Sequence, residues 1–429
     1  MKSLSATQKN FLNTVQKIVF SNPYGEECRQ ACLEFSNNKI SRPADLLESA
    51  SSQVDQLLGK LKKESNMDLA LYSEDDRWLL HHGVLFLCHN RFASHFVKLI
   101  EEQHRQGSSN VKVSFAADAL GMMTRAGMAS VIAQRYFAFF YQIQRAQYFL
   151  NKTLIGESPS IDRLRHDLWN TVFTHDFKLY EQFLWESIKS VSTVFVGESG
   201  SGKATAAKAV VCSGFVPFED KTMTFIEPFI GFFKSVNLAQ HSGVRLESEL
   251  FGHQKGAYAE AVENYQGVLN RCSSHDVIYL DDMTMMPVSV QAKLSNVLQQ
   301  RTFTPVGSHT QQTFDGRIMA SSRKSSKELL KSGELREDLY YQLCVNEIHI
   351  PPLRQRFKEM PAEFELMIRH VIKQFTGQDS DDLVGRVIEG LHDHVSPGYA
   401  WPGNISELEQ IVKKILLVKN YESKPFNDN

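Results

Sequence analysis

Ser192-Thr193-Val194-Phe195-Val196 runs directly into Gly197-Glu198-Ser199-Gly200-Ser201-Gly202-Lys203-Ala204-Thr205, and a helical pattern follows. The first five residues are apolar and rich in β-branched side chains, which predicts a short buried strand. The next seven fit the pattern G-x-x-x-x-G-K. Glycines in such a turn let backbone N–H groups curl around phosphate oxygens. The N-terminus of the following helix adds positive potential, and the lysine neutralises the terminal phosphates. The Ser or Thr that usually follows the lysine as a magnesium ligand is Ala204 here, and Thr205 comes one residue late. A glycine-rich turn with no ligand is the alternative, but a strand before and a helix after favour phosphate binding.

About 80 residues further on, Val277-Ile278-Tyr279-Leu280 ends in Asp281-Asp282. An apolar strand closing on two carboxylates suits a magnesium-holding acid followed by a water-polarising acid. Similar short runs, Asp276–Leu280, Arg317–Ala320 and Val345–Ile350, alternate with helical patterns. That alternation predicts an α/β unit, a parallel sheet with helices on both faces. After Pro351-Pro352 the pattern is helical over 362–375 and 383–391, and again from Asn404 to near Lys419, so a small helical domain is expected there.

Upstream, residues 1 to about 150 contain few Gly or Pro, and apolar side chains recur at three- and four-residue spacing, which predicts an all-α region. The stretch from Ala129 to Leu150 holds Tyr136, Phe137, Phe139, Phe140, Tyr141, Tyr148 and Phe149. A core helix is the plainer reading. A surface for a dimer or protein partner is the other, because so many aromatics cannot share one narrow stripe. Gly156-Glu157-Ser158-Pro159-Ser160 breaks the pattern and reads as a linker or the start of a new unit.

Composition bounds the function without naming it. The chain has 429 residues, and Lys plus Arg number 47 against 49 Asp plus Glu, a net charge of 47 − 49 = −2. Hydrophobic residues make up 42% and charged residues 22%, which excludes disordered, collagen-like and disulfide-scaffold classes. The near-neutral balance argues against a chain-wide basic surface for nucleic acid. No stretch approaches the roughly 18 apolar residues of a membrane span. The start lacks the apolar core of a secretory signal, so a cytoplasmic location is expected. Six cysteines are scattered; only Cys28 and Cys32 are close, and reduced thiols are the favoured reading over a metal site.

Four further motifs bring a family into view. Leu246-Glu247-Ser248-Glu249-Leu250-Phe251-Gly252-His253-Gln254-Lys255-Gly256-Ala257-Tyr258 resembles the signature around the sigma-54-contacting loop of bacterial enhancer-binding proteins. So do Gly333–Tyr341, Pro351–Arg356 and Tyr399–Asn404, in that family's order and spacing. The resemblance covers roughly Gly156 to Leu417. It implies an AAA+ P-loop core with a helical lid, giving three parts: a helical regulatory region over 1–155, the α/β nucleotide-binding domain over 156–352, and the lid over 353–429. It also implies ATP and Mg2+ as cofactors and self-association, usually as hexameric rings.

Carried across residue by residue, Gly197, Glu198, Ser199, Gly200, Ser201, Gly202, Lys203, Ala204 and Thr205 hold the nucleotide. Asp281 is the magnesium-associated acid, Asp282 stands where the family has its catalytic glutamate, and Asn237 matches the asparagine that restrains that acid. Arg336 matches the first of two arginines that act on the neighbouring subunit's nucleotide.

The departures are as informative. The second trans arginine falls on Gln342, the sensor-2 arginine on Ser406, and the sensor-1 region reads Ala320-Ser321-Ser322. In the contacting loop, G-A-F-T-G-A becomes Gly256-Ala257-Tyr258-Ala259-Glu260-Ala261. Retracting the catalytic carboxylate by one methylene and removing a trans cation both weaken phosphoryl transfer. Ala259 and Glu260 replace the residues that engage sigma-54. The resemblance therefore implies nucleotide binding with weakened or no turnover, without direct sigma-54 remodelling. No helix-turn-helix for enhancer DNA is expected in these 429 residues, and no membrane contact. Two alternatives stand: a working ATPase that activates sigma-54-dependent transcription, or an oligomeric platform whose helical N-terminal region binds a protein partner.

Overall fold

The computed structural model describes residues 2–36, 43–65, 71–107, 111–241, 243–394 and 398–418. The chain separates into two compact units. One comprises Met1–Phe149, Val172–Ser187 and Cys212–Gly231; the other comprises Leu150–Thr171, Ile188–Val211 and Phe232–Asn429.

The first unit is helical, built on Ala6–Phe20, Glu26–Phe35, Pro43–Ser65, Glu74–Gln106, Ala116–Arg125 and most of Ser130–Thr153. Its longest helix, Glu74–Gln106, starts where the Ser73 hydroxyl accepts the Asp76 N–H and three acids line the first turn, and it stops at Gly107 with φ +79°. The aromatics of the 129–150 stretch are consumed inside this unit. Tyr136, Phe137, Phe139, Phe140, Tyr141 and Phe149 are all buried. They are covered by a segment from far along the chain: Phe137 meets Phe218 and Phe225, Phe139 meets Phe215, and Phe149 meets Phe229. That insertion, carrying a two-stranded hairpin of Phe218–Glu219 and Thr224–Phe225, explains how a helix can be aromatic on more than one face. Arg145 is buried with them; it stacks on Tyr141 and donates to the carbonyls of Cys212 and Gly214 at 2.9 and 2.5 Å.

The second unit holds a five-stranded parallel sheet: β1 (Thr193–Val196), β2 (Phe233–Asn237), β3 (Val277–Asp281), β4 (Arg317–Ser322) and β5 (Asn346–His349), in the order β2-β3-β4-β1-β5. β2 was not legible in the sequence, because this edge strand is only partly buried and carries Lys234 and Ser235. Side chains such as Val194, Val236, Ile278, Leu280 and Ile318 pack with Leu246, Leu250, Val290 and Leu294 into one core. The helical part, Leu353–Glu359, Glu363–Thr376, Asp381–His394 and Asn404–Leu417, closes its own core around Ile368, Leu391, Trp401, Leu408 and Val412. The expected helix end near Lys419 lies outside the described residues.

The segment after Leu154 is an anchored strap, not a solvated linker. Ser158 and Ser160 are buried, and the Glu157 and Ser158 N–H groups donate to the Glu363 carboxylate at 3.0 and 2.8 Å. Glu363 also takes the Arg356 guanidinium at 2.5 Å.

Candidate functional site

The carboxyl ends of β1, β3 and β4 converge on one cleft of about 570 Å³. This is where open α/β sheets place ligands. After β1 the loop Gly197–Gly202 turns sharply, with Gly200 at φ +70° and Gly202 at φ +99°, conformations that glycine adopts without steric cost. Gly197 N–H bonds to Ser322 at the end of β4, 3.1 Å away, and Ala206 N–H to Gly202 begins the helix Lys203–Val211. Lys203 folds back over the loop, its Nζ donating to the Gly197 and Glu198 carbonyls at 2.8 Å each. Burial lowers the Lys203 pKa, while Asp281 and Asp282 pull it upward. A cation held above a curl of backbone N–H groups at a helix start fits a polyphosphate.

Asp281 closes β3, and its carboxylate accepts the Ser321 hydroxyl at 2.7 Å; the same hydroxyl oxygen accepts the Asp282 N–H at 3.0 Å. Ser321 is thus the residue that fixes the acidic pair, in the segment where sequence reading expected a polar sensor. Asp282 adopts a left-handed backbone, φ +60°, and its carboxylate accepts Thr284 Oγ1 at 2.5 Å. Such a backbone is strained for most residues and clusters at functional sites. One fixed carboxylate beside a phosphate cradle fits Mg2+, which Asp281 would hold.

Not every expected residue gathers here. The cleft wall includes Ser199, Gly200, Ser201, Gly202, Lys203, Ala204, Thr205, Asp281 and Asp282. Asn237 is the register partner of Asp281 across β2 and β3, but its side-chain oxygen caps Ala239 N–H at 2.9 Å. Arg336 stands outside the cleft wall, paired with Asp338 at 2.9 Å at the start of the helix Glu337–Leu343. Glu198 faces the lid. Arg354 grips its carboxylate through both Nη atoms, and these bonds hold it below the usual carboxylate range.

Four wall or support residues were missed from the sequence: Arg323, Asn404, His370 and Arg356. Asn404, buried at φ +51°, donates from Nδ2 to Glu198 and to the Ser199 carbonyl and accepts Leu353 N–H at 2.8 Å. Ile405 N–H reaches the Gly200 carbonyl at 3.1 Å. The lid is therefore bonded straight to the phosphate loop. Ser406 lines the cleft where the family places an arginine, and burial lowers the pKa of His370 nearby. Asn404 and Arg356 sat inside recognised motifs without a role assigned to them; Arg323 and His370 carry no local signal.

The loop Gly256–Ala261 is closed on itself. Gly256 N–H donates to Ala261 O at 2.8 Å, Arg245 grips Glu260 at 2.6 Å, and the Tyr258 ring meets His253.

A parallel sheet in this order, with a glycine-rich loop after β1, acids after β3 and a helical lid, is an AAA+ P-loop architecture. Residues 178–349 match the family described as Sigma-54 interaction domain. The chain is related to sigma-54-dependent transcriptional regulators. It is 31% identical over 269 residues to the DNA-binding transcriptional regulator NtrC of Azospirillum brasilense, covering 63% of this chain and 49% of that one. It is 32% identical over 234 residues to the regulatory protein AtoC of Escherichia coli K12, covering 54% and 47%. The chain thus spans about half the length of these relatives. Among solved structures, NtrX from Brucella abortus in complex with ATP is similar at a TM-score of 0.45 and 20% identity, over 72% of this chain and 63% of that one. Among the described residues, no helix is long and apolar enough to cross a membrane.

Proposed function

We propose that this chain is an ATP-binding regulatory protein in which hydrolysis is weakened and direct sigma-54 remodelling is lost. The observation that carries this reading is an intact phosphate cradle, Lys203 over Gly197–Gly202 beside the fixed Asp281, together with a loop that carries Ala259 and an exposed Arg245–Glu260 pair. Mg2+ would be held by Asp281. Asp282, held short and bonded by Thr284, stands where a longer acid would polarise water. Gln342 and Ser406 supply no charge for a phosphoryl group. Arg336 would act on a neighbouring subunit of a ring, consistent with its place outside its own cleft wall. Within this reading, residues 1–155 regulate, 156–352 bind nucleotide and 353–429 form the lid, and the protein works in the cytoplasm on a protein partner.

Nucleotide affinity of the wild type and Lys203→Ala tests the binding half: loss in the variant supports it, and equal, undetectable binding in both refutes it. Steady-state ATP turnover across protein concentration tests the other half. Turnover that rises with concentration and disappears in Asp281→Ala would establish the working ATPase instead.

A further inference from the structure

Among the described residues of the cleft wall, Arg323 presents a guanidinium not committed to the buried scaffold. Arg323 emerges one residue past β4, the strand whose Ser321 fixes Asp281 and whose Ser322 carbonyl accepts the first N–H of the phosphate loop. Its Nη2 lies 3.5 Å from the Asp282 carboxylate, and its charge reaches Lys203, whose pKa it helps to depress. The Arg323 side chain is 64% exposed and Asp282 18%. The other cleft arginine, Arg356, is buried and held by Glu363 and the Ile155 carbonyl. Arg336 is paired with Asp338 away from the cleft wall.

We propose that Arg323 is a phosphate-binding residue in cis, which leaves Asp282 for the terminal phosphoryl group and makes the cleft prefer a nucleoside triphosphate over a diphosphate. This rests on the nucleotide-binding reading and deepens it. An exposed single-contact pair at 3.5 Å is easily exchanged, whereas a guanidinium presents a planar fork that matches phosphate oxygens with two charge-assisted bonds. The position matters because the loop N–H groups serve phosphates that both nucleotides share, while Lys203 serves the terminal phosphate of either. A cation on the Asp282 side would add a second charge for the additional phosphate. With Gln342 and Ser406 neutral, Arg323 is the charge this site has in their place. Leaving the acid has a second consequence: in the absence of a triphosphate, Arg323 neutralises Asp282.

The test is equilibrium binding of ATPγS and ADP, each with Mg2+, to the full chain as wild type, Arg323→Gln, Arg323→Lys and Lys203→Ala. Losing one charge-assisted phosphate contact weakens ATPγS binding to Arg323→Gln by about tenfold while ADP stays within about twofold. Arg323→Lys, a point charge without the fork, recovers part of the preference. An unchanged ATPγS-to-ADP ratio in Arg323→Gln overturns this proposal and leaves the nucleotide-binding reading standing. A wild type that binds neither nucleotide, as Lys203→Ala is expected to, overturns both.

Discussion

Glu363→Ala removes the counter-charge of a buried ion pair. The Glu363 side chain is fully buried and that of Arg356 is 4% exposed. The carboxylate accepts Arg356 Nε at 2.5 Å and the Glu157 and Ser158 N–H groups at 3.0 and 2.8 Å. Breaking such a pair from one side costs about 3–5 kcal/mol, because the remaining charge stays out of water without its counter-charge. Each orphaned N–H adds about 1 kcal/mol unless water reaches it. The expected loss is therefore about 5–7 kcal/mol, comparable to the whole stability of a marginal domain. Arg356→Met with Glu363→Met lacks the stranded charge, so the double variant is more stable than Glu363→Ala. Urea unfolding followed by tryptophan fluorescence reads this out, since Trp401 packs against Phe357 and Phe364 in the same core. Ile155, whose carbonyl Arg356 holds, lines the cleft, so nucleotide affinity falls in parallel. A loss below about 1 kcal/mol in Glu363→Ala, or a double variant less stable than the single, would refute the reasoning.

Three further outcomes are expected. Gly200→Ala places a Cβ against the Gly403 carbonyl at a residue with φ +70°, so nucleotide affinity drops more than tenfold, roughly the 1–2 kcal/mol left-handed cost plus the displaced lid; unchanged affinity by titration counts against the lid contact. Gln342→Arg restores a trans cation and raises ATP turnover by about 10³-fold or more at associating concentrations, if that cation is what the site lacks; a flat rate argues otherwise. His89 is buried against Phe140 with Gln144 donating to it, and burial lowers its pKa from 6.5 to about 4. The folded state therefore binds this proton less readily than the unfolded chain. Stability is complete above about pH 6.5 and falls by up to about 3 kcal/mol as pH drops towards 4, so urea midpoints for wild type decline across that window while His89→Gln declines less.

Much of the second unit was legible because its signals are local. β1, the phosphate loop and the helix after it occupy consecutive residues, and Asp281-Asp282 closes the apolar run that forms β3. The helical nature of residues 1–150 and the helices of the lid follow from apolar spacing in the same way. β2 escaped because a half-buried edge strand need not alternate. The destination of the aromatics was also hidden, since Phe215, Phe218, Phe225 and Phe229 lie far along the chain from the helix they cover.

What the sequence by itself determined is therefore the chemistry available: glycines that can turn, a lysine at a helix start, two acids at a strand end, and neutral Gln342 and Ser406 where arginines are expected. Tertiary structure alone decided which groups meet. Ser321 fixes Asp281 through strand pairing, Glu198 turns to Arg354 and Asn404 on the lid, and Arg323 reaches Asp282. Glu363 holds Arg356 and a strap more than 200 residues earlier in the chain. Hydrogen bonds and ion pairs act over a few ångströms of space, while sequence records only distance along the chain, so these pairings appear when the sheet and lid are assembled.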